Sequence, residues 1–267
     1  LTWGQVAKEA GYGLEIVSAK TVKKELGSLD YHKCIACIKG WTAPANKDKR
    51  CNFARAMLDI RPKPKNWHNV WFSDEVHFGY GPKMKMRVIR KLGQRYCPDC
   101  MQFHKEPDDK DRKRFHGFGA FGYNVKFFIL YSVDSNTNGK MTQRVYIDSI
   151  LQLNLLPMMK ERGMNVTLEE DGDSGHTGKV ATAFKEKHGI KYYINATYSP
   201  DLSPAENCWQ PIKQYFRTEP HFDDAGAEKA IWEAFKRLPQ SFINRQVESM
   251  PQRLGEVLQS GGEMTGW

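Results

Sequence analysis

Three carboxylates stand where strands end and a helix begins. The stretch from Val166 to Trp209 holds two of them. A short strand, Val166-Thr167-Leu168, delivers Asp171. A helical segment and a second strand, Ile190 to Asn195, follow. The proline-bracketed turn Ser199-Pro200-Asp201-Leu202-Ser203-Pro204 then opens a helix carrying Glu206 and Trp209. The 34 residues 172–205 separate Asp171 from Glu206. Far upstream, the apolar run Val70-Trp71-Phe72 ends in Ser73-Asp74. Carboxylates at the ends of packed elements are what a pair of divalent cations needs in order to cut a phosphodiester.

Each acid alone has an ordinary explanation, since surface acids are common. Asp74 precedes Glu75 and reads equally as a strand-end turn acid. Asp171 sits in the acidic loop Glu169-Glu170-Asp171-Gly172-Asp173, where Asp173 is close enough to be taken for it. A calcium loop is excluded there, because Gly175, His176 and Thr182 occupy positions where such a loop needs other residues. Ser203-Pro204-Ala205-Glu206 has the form of a helix capping box with Pro at the first helical position, which would spend Glu206 on a backbone N–H. Together the acids say more. Two strand-end acids and one at a helix N-terminus can converge on one edge of a sheet, where α/β domains place their sites.

The elements that must position these acids follow from patterning. A length of 267 residues suits one large domain plus a small one. Residues 1–30 read as two short helices around Gly11-Tyr12-Gly13. Ser18 is the expected N-cap of the second, with Val22 and Leu26 inward and Lys20, Lys23 and Lys24 outward. That fits a helix-turn-helix segment entering DNA, or a generic helical hairpin. Residues 31–65 read as a basic linker, partly helical, whose Lys47, Lys49 and Arg50 could track phosphates. Pro62 and Pro64 close it. From 66 to 267, strands come first, then helix, strand, helix, strand and helix. This order predicts an α/β domain, a mixed sheet flanked by helices. Arg87, Arg90 and Lys91 add a basic run within it.

The net charge of +9 favours a polyanion partner, nucleic acid before membrane. No apolar run approaches ~20 residues, so no membrane span is expected. No signal peptide is visible. The chain opens at Leu1 inside what reads as a structured element, which suggests further sequence upstream. Six Cys in a chain this long do not look like a secreted disulfide scaffold, so a reducing compartment is expected. Cys34, Cys37, Cys97 and Cys100 form two C-x-x-C pairs. They could share a structural zinc, but their separation is much wider than that of a zinc ribbon, so unshared thiols are the expectation.

The blocks Trp71-Phe72-Ser73-Asp74-Glu75, Asp171-Gly172-Asp173-Ser174-Gly175-His176-Thr177 and Ser199 to Trp209 resemble the catalytic motifs of Tc/mariner superfamily transposases, in the branch whose third acid is Glu. The first thirty residues resemble the second half of that family's paired helix-turn-helix region. The resemblance implies a ribonuclease-H-like DDE catalytic domain over 66–267 and two Mg²⁺ (or Mn²⁺) ions. It also implies cut-and-paste transposition of double-stranded DNA, a homodimer on paired transposon ends, and a nuclear location in a eukaryotic host. Asp74, Asp171 and Glu206 would be the catalytic and metal-binding acids. Gly172 stands where the family usually has Asn, which removes a hydrogen-bonding group beside the site. The alternatives are a catalytically idle, transposase-derived DNA-binding protein and, more remotely, a metal-dependent nuclease that does not join strands.

Overall fold

The structure is a computed structural model that describes residues 3–11, 17–29, 42–80, 113–133, 140–218, 221 and 223–267. Arg87, Arg90, Lys91 and the four cysteines of the C-x-x-C pairs lie outside the described residues. The chain divides into two compact units, 1–39 and 40–267.

In the first unit, helices α1 (Trp3–Glu9) and α2 (Ala19–Ser28) pack on each other. Ser18 caps α2 as its sequence position predicts, its hydroxyl accepting from the Thr21 N–H at 3.1 Å. Val22 and Leu26 are half-buried, and Lys20, Lys23 and Lys24 are exposed. Residues 12–16, which would make the turn of a helix-turn-helix, lie outside the described residues.

The second unit is built on a five-stranded sheet. Its strands are β1 (Val70–Tyr80), β2 (Lys113–Gly122), β3 (Val125–Tyr131), β4 (Thr167–Glu170) and β5 (Lys191–Ile194). The order is β3-β2-β1-β4-β5. The pairs β1–β2 and β2–β3 are antiparallel, and β1–β4 and β4–β5 are parallel. The two-residue turn Tyr123-Asn124 joins β2 to β3, with Asn124 in the left-handed region (φ 57°), which Asn tolerates better than most residues.

Side chains alternate across β1, as the period of a strand demands. Phe72, Val76 and Phe78 enter one core, and Trp71 enters the other. The first core is shared with α3 (Pro44–Ile60), α8 (Pro204–Thr218), α9 (Asp224–Arg237), α10 (Gln240–Glu248) and α11 (Met250–Gln259). The opposite core is shared with a continuous helical run and with α7 (Lys179–Lys187). That run comprises α4 (Gln143–Val145), the π-wound Tyr146–Leu155 and α5 (Leu156–Glu161). A sheet with helices on both faces is the α/β architecture that the element order predicts.

One reading needs correction. Much of the stretch taken for a basic linker is α3, part of the second unit, with Ala54 and Met57 in the core. Its buried stripe is Arg50, Cys51, Ala54 and Met57. Its partly helical character is as expected; its packing into the second unit, with an arginine in the buried stripe, is not.

Candidate active site

The parallel pairing of β1 with β4 sets the first two acids side by side. Phe72 pairs with Glu169, so extending that register by two residues puts Asp74 across from Asp171. The β4 strand stops at Glu170 while β1 continues to Tyr80. The sheet therefore opens beside Asp74. Glu206 arrives from above this opening, in the first turn of α8. Asp74, Asp171 and Glu206 line one cavity of about 570 Å³, together with Glu169, Asp173 and the segment from Ile194 to Pro200.

Each acid is held differently. Asp74 Oδ1 accepts from the Glu75 N–H at 2.8 Å, and Oδ2 accepts from Trp209 Nε1 at 3.0 Å. Asp171 Oδ1 accepts from the Asp173 N–H at 3.0 Å and pairs with His176 Nδ1 at 2.7 Å. Asp173 caps the short helix α6 (Ser174–Thr177), its Oδ1 accepting from the Gly175 N–H at 2.7 Å. Glu206 does not take the capping role. The Ser203 N–H goes to Pro200 O, the Glu206 N–H to Ser203 O, and the Ser203 hydroxyl to Glu169. The Glu206 carboxylate has no hydrogen-bond or salt-bridge partner among the described residues.

The electrostatics are those of crowded anions. Burial, then the Glu206 charge, push the Asp74 carboxyl up to about 7, against the opposing pull of its two hydrogen bonds. Burial raises Glu169 well above the carboxylate range, and the neighbouring Asp74 raises it further. Burial also works to raise Asp171, but His176 outweighs it and holds that carboxyl below its usual value. His176 is buried, which disfavours its charge. Its hydrogen bond to Asp171 and its contact with Glu75 nonetheless hold the imidazolium up at about 10. The Glu75 contact, at 3.5 Å from Nε2, is an electrostatic one and not a directed hydrogen bond.

No Lys, Arg or His lines this cavity among the described residues. A phosphodiester entering it would meet five acidic side chains and no cation among the described residues. The donor set, all hard carboxylate oxygen, fits divalent Mg²⁺ or Mn²⁺. Among the described residues, no group of three or more His, Cys, Asp or Glu is closed around a common point. Glu206 is exposed.

Sequence reasoning missed Glu169, His176 and Glu75 as parts of the site. Glu75 receives the Tyr131 hydroxyl at 3.1 Å and faces His176 on the side of the sheet away from Asp74. The available signal was strand alternation in β1 and β4, which sends consecutive acids to opposite faces. Glu170, the next in line, pairs with Lys185 and Tyr146 in the opposite core and is structural. Of the basic residues expected on DNA, Lys49 is exposed and Lys47 pairs with Glu263. Arg50 is a correction. It is fully buried, bonded to Asp201 at 2.7 and 2.9 Å, and out of reach of DNA.

The profile of the family described as DDE superfamily endonuclease matches residues 69–227, which span the whole cavity. The Tcb1 transposase of Caenorhabditis briggsae is 26% identical over 262 residues, covering 94% of this chain and 88% of that protein. A Mos1 transposase paired-end complex with left transposon end matches with a TM-score of 0.74 at 16% identity, over 99% of this chain and 75% of that one. The Mos1 mariner paired-end complex with Mn matches at 0.71 and 19% identity, over 98% and 75%. The chain belongs to the DDE superfamily endonucleases, within their Tc/mariner transposase branch.

Proposed function

We propose that this chain cuts and joins DNA strands as a cut-and-paste transposase, with Asp74, Asp171 and Glu206 as its metal-binding acids. The observation that carries this reading is a cavity where acids from β1, β4 and α8 meet with no basic side chain in the lining. Two divalent ions held there would activate a water or a DNA 3′-hydroxyl for in-line attack and offset the phosphate charge. The chain's own residues prepare the site. Trp209 and the Glu75 N–H fix the Asp74 carboxylate in orientation. His176 fixes Asp171 through Oδ1, leaving Oδ2 without a protein partner. Glu206 closes the set from the first turn of α8.

Transposon-end DNA and a manganese ion belong, by name, to the Mos1 complexes. They support double-stranded DNA as partner here, a homodimer on paired ends, and Mg²⁺ or Mn²⁺ as cofactor. In a eukaryotic host the work lies in the nucleus, which imaging of the tagged chain checks. The test of the activity is Mg²⁺-dependent nicking of duplex DNA by the chain and by Glu206→Gln. Nicking in the parent, and its loss in a Gln variant with an unchanged melting temperature, is the expected result. Equal activity in both breaks the triad. DNA binding without nicking in either supports a catalytically idle DNA-binding protein instead. Joining to a supplied 3′-hydroxyl separates a transposase from a simple nuclease.

A further inference from the structure

The two elements that carry Asp74 and Glu206 continue past the acid cavity, and their charge changes sign. On β1, His77 and Gly79 follow Asp74. On α8, Lys213 and Arg217 follow Glu206. From β2, Arg114 lies opposite Gly79 in the antiparallel register. These residues, with Phe78 and Phe216, line a second cavity of about 320 Å³. Its floor is apolar, the two rings meeting at a tilt with centroids 5.2 Å apart. Its rim is cationic, and no acid lines it among the described residues. Arg114, Lys213 and Arg217 have no carboxylate partner among the described residues. Burial pushes the His77 imidazole toward the neutral form, Glu75 opposes this, and Arg114 and Lys213 stand near enough to add to the effect of burial.

Three cations converge here without a counter-ion, which costs Coulomb energy that an anion would recover. The spacing indicates which anion. Glu206 and Lys213 are seven residues apart on one helix, about 10.5 Å along its axis. That is about three nucleotides of a DNA strand at 3.4 Å each. Lys213 and Arg217, four residues apart, share a helix face.

We propose that the Arg114–Lys213–Arg217 cavity is a subsite for a backbone phosphodiester of the DNA strand whose cleaved phosphate lies at the acid cavity. This deepens the proposed function and rests on it for the position of the strand. Phosphate contacts of this kind set register and carry no sequence information.

The test is binding of a labelled duplex to the full chain, followed by fluorescence anisotropy across a salt series without divalent ions. The variants are Lys213→Gln, Arg217→Gln, the two combined, and Lys160→Ala as control. Lys160 is exposed on α5, on the opposite side of the sheet from α8. Each single substitution is expected to lower the slope of log affinity against log salt by about 0.9, and the pair by about 1.8. Lys160→Ala is expected to leave it unchanged. Lys213 is half-buried and Arg217 exposed, so neither change opens the core, and matched melting temperatures confirm folding. Parent slopes in the folded variants overturn the proposal. An equal loss in Lys160→Ala also overturns it, because the attraction would then be spread over the surface. Nicking by the parent is scored in parallel with Mg²⁺. A parent that nicks while the variants keep its slope removes the subsite alone. Lowered slopes with a parent that never nicks remove the activity and keep the subsite. No binding by the parent removes both.

Discussion

Asp74 and Glu75 are sequence neighbours, yet alternation along β1 sends one toward α8 and the other toward His176. Asp74 meets Trp209 and the charge of Glu206. Glu75 and Asp171 hold His176 between them, at 3.5 and 2.7 Å. Under the proposed function, His176 acts as a positioning residue through the Asp171 carboxylate. We expect His176→Gln to lower Mg²⁺-dependent nicking about 10–100-fold, the usual effect of losing an outer partner of a metal ligand. Single-turnover assays across a magnesium series check this: the midpoint should move to higher Mg²⁺, and an unmoved midpoint would leave His176 a packing residue. Gly172 gives a prediction of opposite sign. It lines the acid cavity, its φ lies outside the left-handed region, and an added Cβ would meet nothing within 4 Å. Asn fits there without strain. Gly172→Asn should raise the nicking rate up to about tenfold, the worth of one hydrogen bond to a charged group at about 1.5 kcal/mol. A rate at or below the parent's would show that the missing amide is not limiting.

Between elements, the contact that matters most is the seat of Trp209. Gly119 of β2 lies opposite Asp74 of β1 in the antiparallel register. A Cβ at Gly119 would come within 2.4 Å of the Trp209 ring. The absent side chain makes room for the indole, and the indole N–H holds Asp74. Gly119→Ala should therefore cost about 1–3 kcal/mol by overpacking. It should also lower nicking by more than the stability loss explains, because the donor to Asp74 is displaced. Urea unfolding alongside nicking at a temperature where the variant stays folded separates the two effects, and full activity in the folded variant would refute the coupling. Nothing in the sequence marked Gly119, because its role depends on a tertiary contact with a residue 90 positions away. By contrast, the apolar runs leading to Asp74 and Asp171 were legible, although β1 continues to Tyr80 and so leaves Asp74 inside the strand and not at its end, and the turn before Glu206 was legible from its two prolines. A helical part of residues 31–65 was legible too, but the burial of Arg50 in the stripe of α3 was not, nor was the π-winding of Tyr146–Leu155, which departs from the period of 3.6 on which helix reading rests.

Across the whole second unit, one buried ion pair ties distant parts of the chain to the wall of the acid cavity. Arg50 of α3 bonds Asp201, the Ser199 hydroxyl at 2.6 Å, and the carbonyls of Gly262 and Glu263. Asp201 also receives the Thr265 N–H and hydroxyl, both at 2.8 Å. Arg253 of α11 donates to the Asp201 carbonyl and to Asn207 in α8. The turn that delivers Glu206 is thus clamped by two buried arginines and by the segment 262–265. Sequence reasoning placed Arg50 on DNA because it follows Lys47 and Lys49 in a basic run, while its partner lies 151 positions away. Removing one member of such a pair leaves a buried charge uncompensated. Asp201→Asn should cost about 3–5 kcal/mol at pH 7. The sign of its pH dependence follows from the fold. Burial tends to raise the Asp201 carboxyl, but Arg50 and Thr265 together hold it below its usual value. Its contribution is therefore fully present above its unfolded pKa of about 3.9, and is lost as pH falls through the lower folded value. Urea unfolding of parent and variant should show a constant gap from pH 7 to about 5 that narrows only below about pH 4. A gap that closed near pH 6 would show that a histidine, and not this carboxylate, governs the clamp.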